Sequence, residues 1–269
     1  MSVNIYDATQ DTLKRVDGSS FEYEGAGYHN SIYRGKNLGS SVTAAQWNNI
    51  LNGTFQDMFI GDYWRINNVN WRIAAFDYWI NTCNPVITDH HVVIVPDTNL
   101  LEGDGSTNHY MQTSNDTSGG YKGSGYYSGT NKDTTTNTAK SECTTKVNNA
   151  FGSGHILTYK ELITSTVADG KASAWSWEDC TVECMNETMI CGGMVWGISG
   201  YEVGIKKTPL PLFLKDPSKI VSGSNYWIRS IKSATEFAFV SSQGIVNFVN
   251  ASSSGAGIRP VFAIYQPQA

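Results

Sequence analysis

Three of the five cysteines lie close together in the sequence and could bind a metal ion through their thiolates. Cys180, Cys184 and Cys191 fall within one predicted helix, and thiolate sulfur is a ligand that zinc favours. Zinc sites, however, usually use short turns or a second ligand pair elsewhere, and Met185 and Met189 share the same stretch of this helix. The pattern therefore favours buried structural thiols, and we predict neither a metal nor a cofactor.

Two groups of titratable residues could act as general acids or bases. Asp89, His90 and His91 are consecutive, but successive residues of a strand point to opposite faces, so at most one of the two histidines can face a given site. We interpret the group as the polar approach to a strand. Glu183 and Glu187 lie one helical turn apart, which a solvated helix face also explains. Because no serine or cysteine sits in a recognisable nucleophile motif beside a histidine, the sequence predicts no catalytic residue and no enzyme.

Phosphate and calcium sites are also disfavoured. The glycine-rich run GGYKGSG at 119–125 lacks the GK[ST] ending that places a lysine and a hydroxyl on a phosphate. Asp97, Asn99, Glu102 and Asp104 supply oxygen ligands, but their spacing does not match an EF-hand loop.

The overall composition limits the class of protein. The 269 residues are 40% hydrophobic and only 16% charged, and they include fourteen tyrosines and eight tryptophans. Aromatic side chains in so polar a chain are typical of strands and binding loops. The net charge of −5, without a lysine or arginine cluster, argues against nucleic acid or an anionic membrane as the partner.

The cellular setting is predicted from two missing kinds of segment and from the cysteine count. The first residues lack the apolar core of a signal peptide, and no later run approaches the ~18 apolar residues of a membrane span. An odd number of cysteines fits a chain that does not depend on disulfides. We therefore expect the protein to remain in the cytosol or to be assembled there into a particle.

Helices are predicted in the middle of the chain. Residues 43–52 begin with Thr43 as N-cap, and 141–151 form a second helix. A capping box of Thr158 and Glu161 predicts a third helix over 158–165, and an apolar stripe predicts the longest one over 176–191.

Strands are predicted on either side of those helices. Segments 62–66 and 70–76 read as a hairpin around Asn67 and Asn68, and 91–95 as a strand at a sheet centre. Residues 103–137 form a long loop of small polar residues, and Pro209 and Pro211 favour an extended segment.

The most informative stretch runs from 226 to 264. Rigid residues, Trp227 and Arg229 at one side and Arg259 and Pro260 at the other, enclose small or interchangeable side chains. Between them, two strands at 237–240 and 245–249 are joined by a turn at 241–244, and a second loop covers 252–257. We call Trp227, Arg229, Arg259 and Pro260 the frame and residues 231–256 the display segment.

These motifs resemble the C-terminal end of C-type-lectin-fold proteins of bacteriophages and gut bacteria, some of which are variable proteins diversified by retroelements. The YWLRS-like and GVRPAF-like motifs that bracket the variable residues in that family read YWIRS at 226–230 and GIRPVF at 257–262. Upstream segments such as GTFQDMFIGDYWRI and WEDCTVECMNETM extend the resemblance over about residues 43–264. It implies an α+β chain with a C-type-lectin-like, ligand-binding domain at 43–269. Residues 1–42 are polar, rich in Gly and Tyr and without sustained periodicity, which predicts an anchoring or oligomerising segment.

The resemblance also implies which residues bind the ligand. Family variation at adenines of AAC-type codons yields residues such as Asn, Ser, Tyr, Phe, Ile and Ala but not Lys, Glu or Gln, so Lys232, Glu236 and Gln243 are excluded. Either Phe239 or Phe248 would serve as an aromatic anchor. The frame should fix the surface, with Trp227 in the core and both arginines bonded to loop carbonyls or carboxylates. The nominated exposed, variable positions are Ile231, Ser233, Phe239, Ser241, Ser242, Ile245, Asn247, Phe248, Asn250, Ser253, Ser254 and Ala256.

As a member of such a family, the chain would be a receptor-binding display protein, diversified by a retroelement and carried on a phage virion as a tail-associated protein. Its partners would be a bacterial surface protein or glycan and other virion proteins, without nucleic acid or membrane insertion, and homotrimers would be expected. The alternative is a structural decoration or tail component that binds no receptor. The EPN, QPD and WND motifs of calcium-dependent lectins do not occur in the sequence. The sequence also has no cysteine after Cys191, so the reactive cysteine pair of the related formylglycine-generating enzymes is missing near the C-terminus.

Overall fold

A computed structural model describes residues 4–7, 12–15, 25–103, 109–128, 139–168, 171–193, 195 and 208–268. The chain is a mixed α+β protein with 21% helix and 34% strand, which confirms the predicted class. The described strands are β1 (Asn4–Asp7), β2 (Thr12–Arg15), β3 (Asn37–Gly39), β4 (Tyr63–Ile66), β5 (Val69–Phe76), β6 (His91–Pro96), β7 (Tyr159–Ala168), β8 (Lys171–Cys180), β9 (Glu183–Cys184), β10 (Tyr226–Ile231), β11 (Glu236–Val240), β12 (Val246–Asn250) and β13 (Pro260–Tyr265). The described α-helices are α1 (Ala26–His29), α2 (Ala44–Leu51), α3 (Gly125–Ser128), α4 (Ala139–Phe151), α5 (Glu187–Cys191) and α6 (Pro211–Lys215).

A six-stranded sheet in the order β3-β4-β5-β6-β13-β9 forms the centre of the protein. Only β3 and β4 run parallel, and the other neighbours pair antiparallel. Every residue of β6 is buried, so both faces of this strand are covered. The prediction of a buried strand over 91–95 is confirmed.

Local sequence signals account for the neighbouring elements. Asn67 and Asn68 adopt positive φ angles of 51° and 62° between β4 and β5, because asparagine tolerates the left-handed backbone that a two-residue hairpin turn needs. Thr43 caps α2 through a reciprocal capping box with Gln46. Helix α4 includes the predicted 141–151 and begins two residues earlier. These predictions are confirmed.

Two predicted helices are wrong. Residues 159–165 belong to β7, a ten-residue strand paired with β8. The β-branched residues Ile163, Thr164, Thr166 and Val167 favour a strand more than the Thr158 capping signal favours a helix. In 176–191, β8 continues to Cys180, β9 follows, and only α5 is helical. Residues 182–190 are all buried, so their apolar residues reflect burial on all sides and not a one-sided helix face.

Two further predictions about irregular segments need correction. Pro211 does not extend the chain but occupies the first turn of α6, where a missing N–H costs nothing, and a 3-10 helix follows at Pro217–Ile220. The predicted loop over 103–137 contains α3, and its parts at 104–108 and 129–137 lie outside the described residues.

Part of the predicted N-terminal segment packs on the central domain. The buried His29 bonds through Nδ1 to the carbonyl of Met58 at 2.6 Å, and β3 pairs with β4 in the central sheet. Residues from about 26 onward therefore contribute to the main core. The boundary at residue 42 and the anchoring or oligomerising role of 1–42 stay predictions. Among the described helices, none has the length and apolar content to cross a bilayer.

A three-stranded antiparallel sheet, β10-β11-β12, carries the display segment. Strand β11 pairs with β12 across five residue pairs, and Gly244 adopts the positive φ of 81° that the connecting turn requires. The predicted strands at 237–240 and 245–249 are confirmed, with β12 beginning one residue later.

Candidate recognition surface

Trp227 anchors the display sheet in the core. Its side chain is fully buried and its indole N–H donates to the carbonyl of His109 at 2.6 Å. The edge of the Phe239 ring lies near it, with the ring centroids 6.5 Å apart. This confirms the prediction that Trp227 packs beneath the surface.

Arg229 joins the display sheet to the β7–β8 hairpin through a buried ion pair. Its guanidinium lies 2.8 Å from the Glu161 carboxylate, and the two side chains are 5% and 1% exposed. Water does not reach either buried charge, so each charge is stabilised by the other. The expected carboxylate partner is therefore present, but Glu161 itself was missed because its segment was predicted to be a helix.

Arg259 fixes the other end of the frame. Nε donates to the carbonyl of Pro96 at 2.8 Å and Nη1 to that of Ile220 at 2.9 Å, as predicted for a forked donor bonding to carbonyls. The guanidinium also lies over the Tyr226 ring, 5.3 Å from its centroid. Pro260 is buried at the start of β13, where it stands opposite Cys184.

Ten of the twelve nominated positions are at least partly exposed. Ile245, with 62% exposure, and Asn247 and Asn250 are the most open. Two nominations as exposed residues are wrong: Ile231 is 6% and Ala256 2% exposed. Ile231 pairs with the buried Phe237, and the Ala256 backbone lies directly against Gly103.

The two candidate aromatic anchors lie on opposite faces of the sheet. Phe239 pairs with Asn247, whereas Phe248 pairs with Ala238, and adjacent residues of a strand point to opposite sides. Phe239 packs partly against the core. Phe248 lies instead beneath the Lys232 ammonium, which is 4.1 Å from the ring centroid.

The residues beside Phe248 include Lys232 and its ion-pair partner Glu236. The family's codon pattern would exclude both of these positions from variation. Lys232 pairs with Glu236 at 3.2 Å, and Ser233 Oγ donates to the same carboxylate at 2.8 Å. The nominated Ser233 is thus bonded to Glu236, a position that the family's codon pattern would exclude from variation, so nominated and excluded positions lie side by side here.

A described part of the 103–137 loop lies beside the display segment. The Asn115 carbonyl oxygen of the side chain accepts bonds from the Ser252 hydroxyl at 2.6 Å and from its N–H at 3.3 Å. The Gln112 N–H donates to the carbonyl of Ala251 at 2.9 Å. Asn115 is itself exposed, so this loop adds surface next to the nominated residues.

The cysteines have different surroundings. Cys180 and Cys184 are buried, as predicted, and burial raises the pKa of the Cys184 thiol to about 12. Cys191 is exposed at the end of α5, so its prediction as a buried thiol is wrong. Within the parts of the chain that the structure describes, no group of three or more His, Cys, Asp or Glu side chains is placed to hold a metal.

His91 has a structural role. Nε2 accepts the backbone N–H of Trp79 at 3.0 Å, so Nδ1 carries the proton and donates to the carbonyl of Asp89 at 2.9 Å. Burial lowers the pKa of His91, which favours this neutral form. His90 bonds to Asp77 at 2.7 Å. The expectation of a polar approach holds for His90 but not for the buried His91.

The expected solvated face of Glu183 and Glu187 is wrong, because both side chains are fully buried. Glu183 lies 2.5 Å from the Lys140 ammonium and accepts the Tyr121 hydroxyl at 3.0 Å. Its pKa is nevertheless raised, since burial disfavours the charged carboxylate. Glu187 accepts the Val195 N–H at 2.9 Å. Both carboxylates therefore have structural partners.

The remaining oxygen-rich and glycine-rich candidates are also engaged within the fold. Asp97 forms an ion pair with Arg72 at 2.5 Å, and the amide of Asn99 donates to the carbonyl of Asn225 at 2.9 Å. Lys122, in the glycine-rich run, pairs with Glu178. Asp104 lies outside the described residues.

Comparisons of this chain with models of protein families, with curated proteins and with solved structures find no match. The functional conclusion must therefore come from the geometry of the site.

Proposed function

We propose that this protein is a ligand-binding protein without catalytic activity, with a C-type-lectin-like fold, which presents the display segment to a receptor on a bacterial surface. The motifs that bracket the segment support its placement on a phage particle, as a tail-associated protein diversified by a retroelement.

The observation that supports this proposal is the contrast in burial between the frame and the display segment. Trp227, Arg229 and Arg259 are buried and bonded to distant parts of the chain. Most nominated positions between them reach solvent. A receptor surface needs this combination, because side chains that contribute little to folding can be exchanged to change specificity while the backbone stays in place.

The chemistry of the open positions suits recognition. Ile245 provides apolar area, Asn247 and Asn250 provide amide donors and acceptors, and Ser241 and Ser254 provide hydroxyls. Adaptable polar groups beside a few apolar contacts are typical of protein recognition surfaces.

Binding to bacterial cells tests the proposal. The labelled protein would be applied to a panel of gut bacterial strains and bound fluorescence measured by flow cytometry. We expect binding to some strains and its loss in a variant that combines Ile245→Ala, Asn247→Ala and Asn250→Ala.

A matched control combines Asn149→Ala, Ser153→Ala and Thr158→Ala. These three exposed positions lie in the last turn of α4, just after that helix and just before β7. It should bind as the wild type does. Equal binding by the display variant would contradict the proposal, and absence of binding by every form would favour the structural virion component. Finding a near-copy of the terminal coding segment beside a reverse transcriptase gene would test the retroelement separately.

A further inference from the structure

We infer that Asn225 is a positioning residue that joins the two display loops, 241–245 and 251–257, into one surface. The inference rests on the proposed function in taking these loops as the binding surface. Asn225 precedes β10 and is not among the nominated positions, and its own role is to hold the loops and not to touch the ligand.

The side chain of Asn225 bonds to both loops at once. Its Oδ1 accepts the N–H of Ser242 at 3.0 Å, and its Nδ2 donates to the carbonyl of Gly255 at 3.3 Å. A backbone N–H can only donate and a carbonyl can only accept, so the amide has a single orientation that satisfies both loops. No other residue type of this length offers one acceptor and one donor on the same planar group.

The backbone of Asn225 is held from below. Its carbonyl accepts the N–H of Gly257 and the side-chain amide of the buried Asn99, both at 2.9 Å. The adjacent Ser224 hydroxyl lies 2.9 Å from the same Asn99 amide and donates to the Glu102 carboxylate. Asn225 is thus attached to the 99–102 segment, which lies outside the display segment.

The consequence is a fixed relation between two loops that the sequence separates. One loop connects β11 to β12 and the other leads from β12 towards β13. Without a link, a ligand that contacts both loops would have to order each of them on binding. The conformational entropy lost in this way would lower the affinity. A link that is already made in the free protein preorganises the surface.

A neighbouring residue offers a control with one attachment in place of two. Among the residues that the structure describes, the Asn115 side chain bonds to Ser252 alone, so its removal should release loop 251–257 while the turn at 241–245 stays protected.

Amide hydrogen exchange by NMR on the free protein tests the inference. In Asn225→Ala, we expect the Ser242 amide to exchange about five- to tenfold faster, the effect of losing one hydrogen bond, together with faster exchange at Gly255 and Ala256. In Asn225→Asp, which keeps an acceptor but loses the donor, only Gly255 and Ala256 should accelerate. In Asn115→Ala, the Ser252 amide should accelerate and that of Ser242 should not.

Unchanged Ser242 exchange in Asn225→Ala would overturn the inference. So would a uniform acceleration that includes the core amides of Phe237 and Ile264, because it would report general destabilisation. If Asn225→Ala does not fold, the selective response of Asn225→Asp decides in the same way.

The cell-binding assay separates this inference from the proposed function. Where strains bind, Asn225→Ala should bind less than Asn115→Ala. Faster amide exchange confined to the two loops, without any cell binding, would support the link between the loops and refute binding to these bacterial strains. Cell binding without such selective exchange would refute the link alone.

Discussion

Strands β10 and β12 belong to the same three-stranded sheet but have opposite surroundings. All six residues of β10 are buried, including Arg229 with its Glu161 partner. On β12, Asn247 and Asn250 are exposed and only Val246 is buried. From this difference in burial we expect side-chain identity to be constrained on β10 and tolerant of change on β12.

The backbone explains how β12 can remain a strand without such constraints. It pairs with β11 from Val246 to Asn250, and these hydrogen bonds do not depend on which side chains the residues carry. The position of β12 is therefore fixed by its neighbour, and β11 is fixed in turn by β10.

The largest expected effect comes from the buried ion pair of the inner strand. Glu161→Ala should lower the free energy of unfolding by about 3–5 kcal/mol, because the buried Arg229 guanidinium loses its carboxylate counter-charge. Urea unfolding followed by tryptophan fluorescence measures the change.

Its neighbour on β7 is the control. Lys160 is 39% exposed and lies 3.8 Å from the exposed Asp179, so Lys160→Ala should cost less than about 1 kcal/mol. Equal losses in the two variants would show that the buried pair does not hold the frame.

Two nominated isoleucines offer a comparison with identical chemistry. Ile231→Ala should destabilise by about 2–5 kcal/mol, since this buried side chain leaves a cavity. Ile245→Ala should change the unfolding free energy by less than about 0.5 kcal/mol, because the side chain is 62% exposed. Similar losses of unfolding free energy for the two variants in denaturant titrations would contradict the assignment of Ile231 to the buried, constrained positions.

The pH dependence of stability distinguishes a fully buried carboxylate on β9, Glu183, from a less buried one on β8, Glu178. Burial raises the pKa of Glu183 above its ordinary 4.5, so the unfolded chain loses this proton first as the pH increases. The contribution of Glu183 to wild-type stability therefore falls above pH 4.5 until the pH passes the pKa in the folded protein. Relative to wild type, Glu183→Gln should gain up to about 1.4 kcal/mol per pH unit in this window.

Glu178 provides the opposite sign as a control. Partial burial is the largest single influence and raises its pKa, but the hydrogen bonds from Lys122 and Ser176 and the charges of Lys122 and Lys160 together outweigh burial and leave the pKa lowered below 4.5. Its contribution is present above pH 4.5 and is lost as the pH falls through the folded pKa, so Glu178→Gln should lose stability relative to wild type as the pH increases. Parallel curves for both variants in pH-dependent thermal unfolding would contradict the account.

The smallest expected effect concerns the contact between Lys232 and Phe248. A double-mutant cycle with Lys232→Ala and Phe248→Leu should give a coupling of about 0.5–1 kcal/mol, which is typical of a partly exposed cation over an aromatic ring. A coupling of zero would mean that Lys232 does not hold the ring.

Elements with self-contained local signals could be predicted from the sequence. Thr43 and Gln46 close a capping box within α2, and Asn67 and Asn68 form a turn without help from the rest of the chain. The display hairpin belongs to the same group, because Gly244 and the alternation on each side specify it locally.

The failures occur where tertiary burial overrides a local pattern. Segment 176–191 has helix-like spacing of apolar residues, but Glu183 and Glu187 within it are also buried. Their partners, such as Lys140 for Glu183, come from distant parts of the chain. The same reason hid Asn225 and Glu161 from the predicted site, since the importance of both depends on contacts across 17 or more residues.

Simultaneous randomisation of the ten nominated positions that are not buried tests the central claim most directly. The library would be displayed on yeast, and the fraction of members that resist protease would be compared with that of a library randomised at ten buried positions of β6, β10 and β13. We predict that most members of the first library stay folded and almost none of the second do. Equally small folded fractions would contradict the separation of a constrained frame from a tolerant surface.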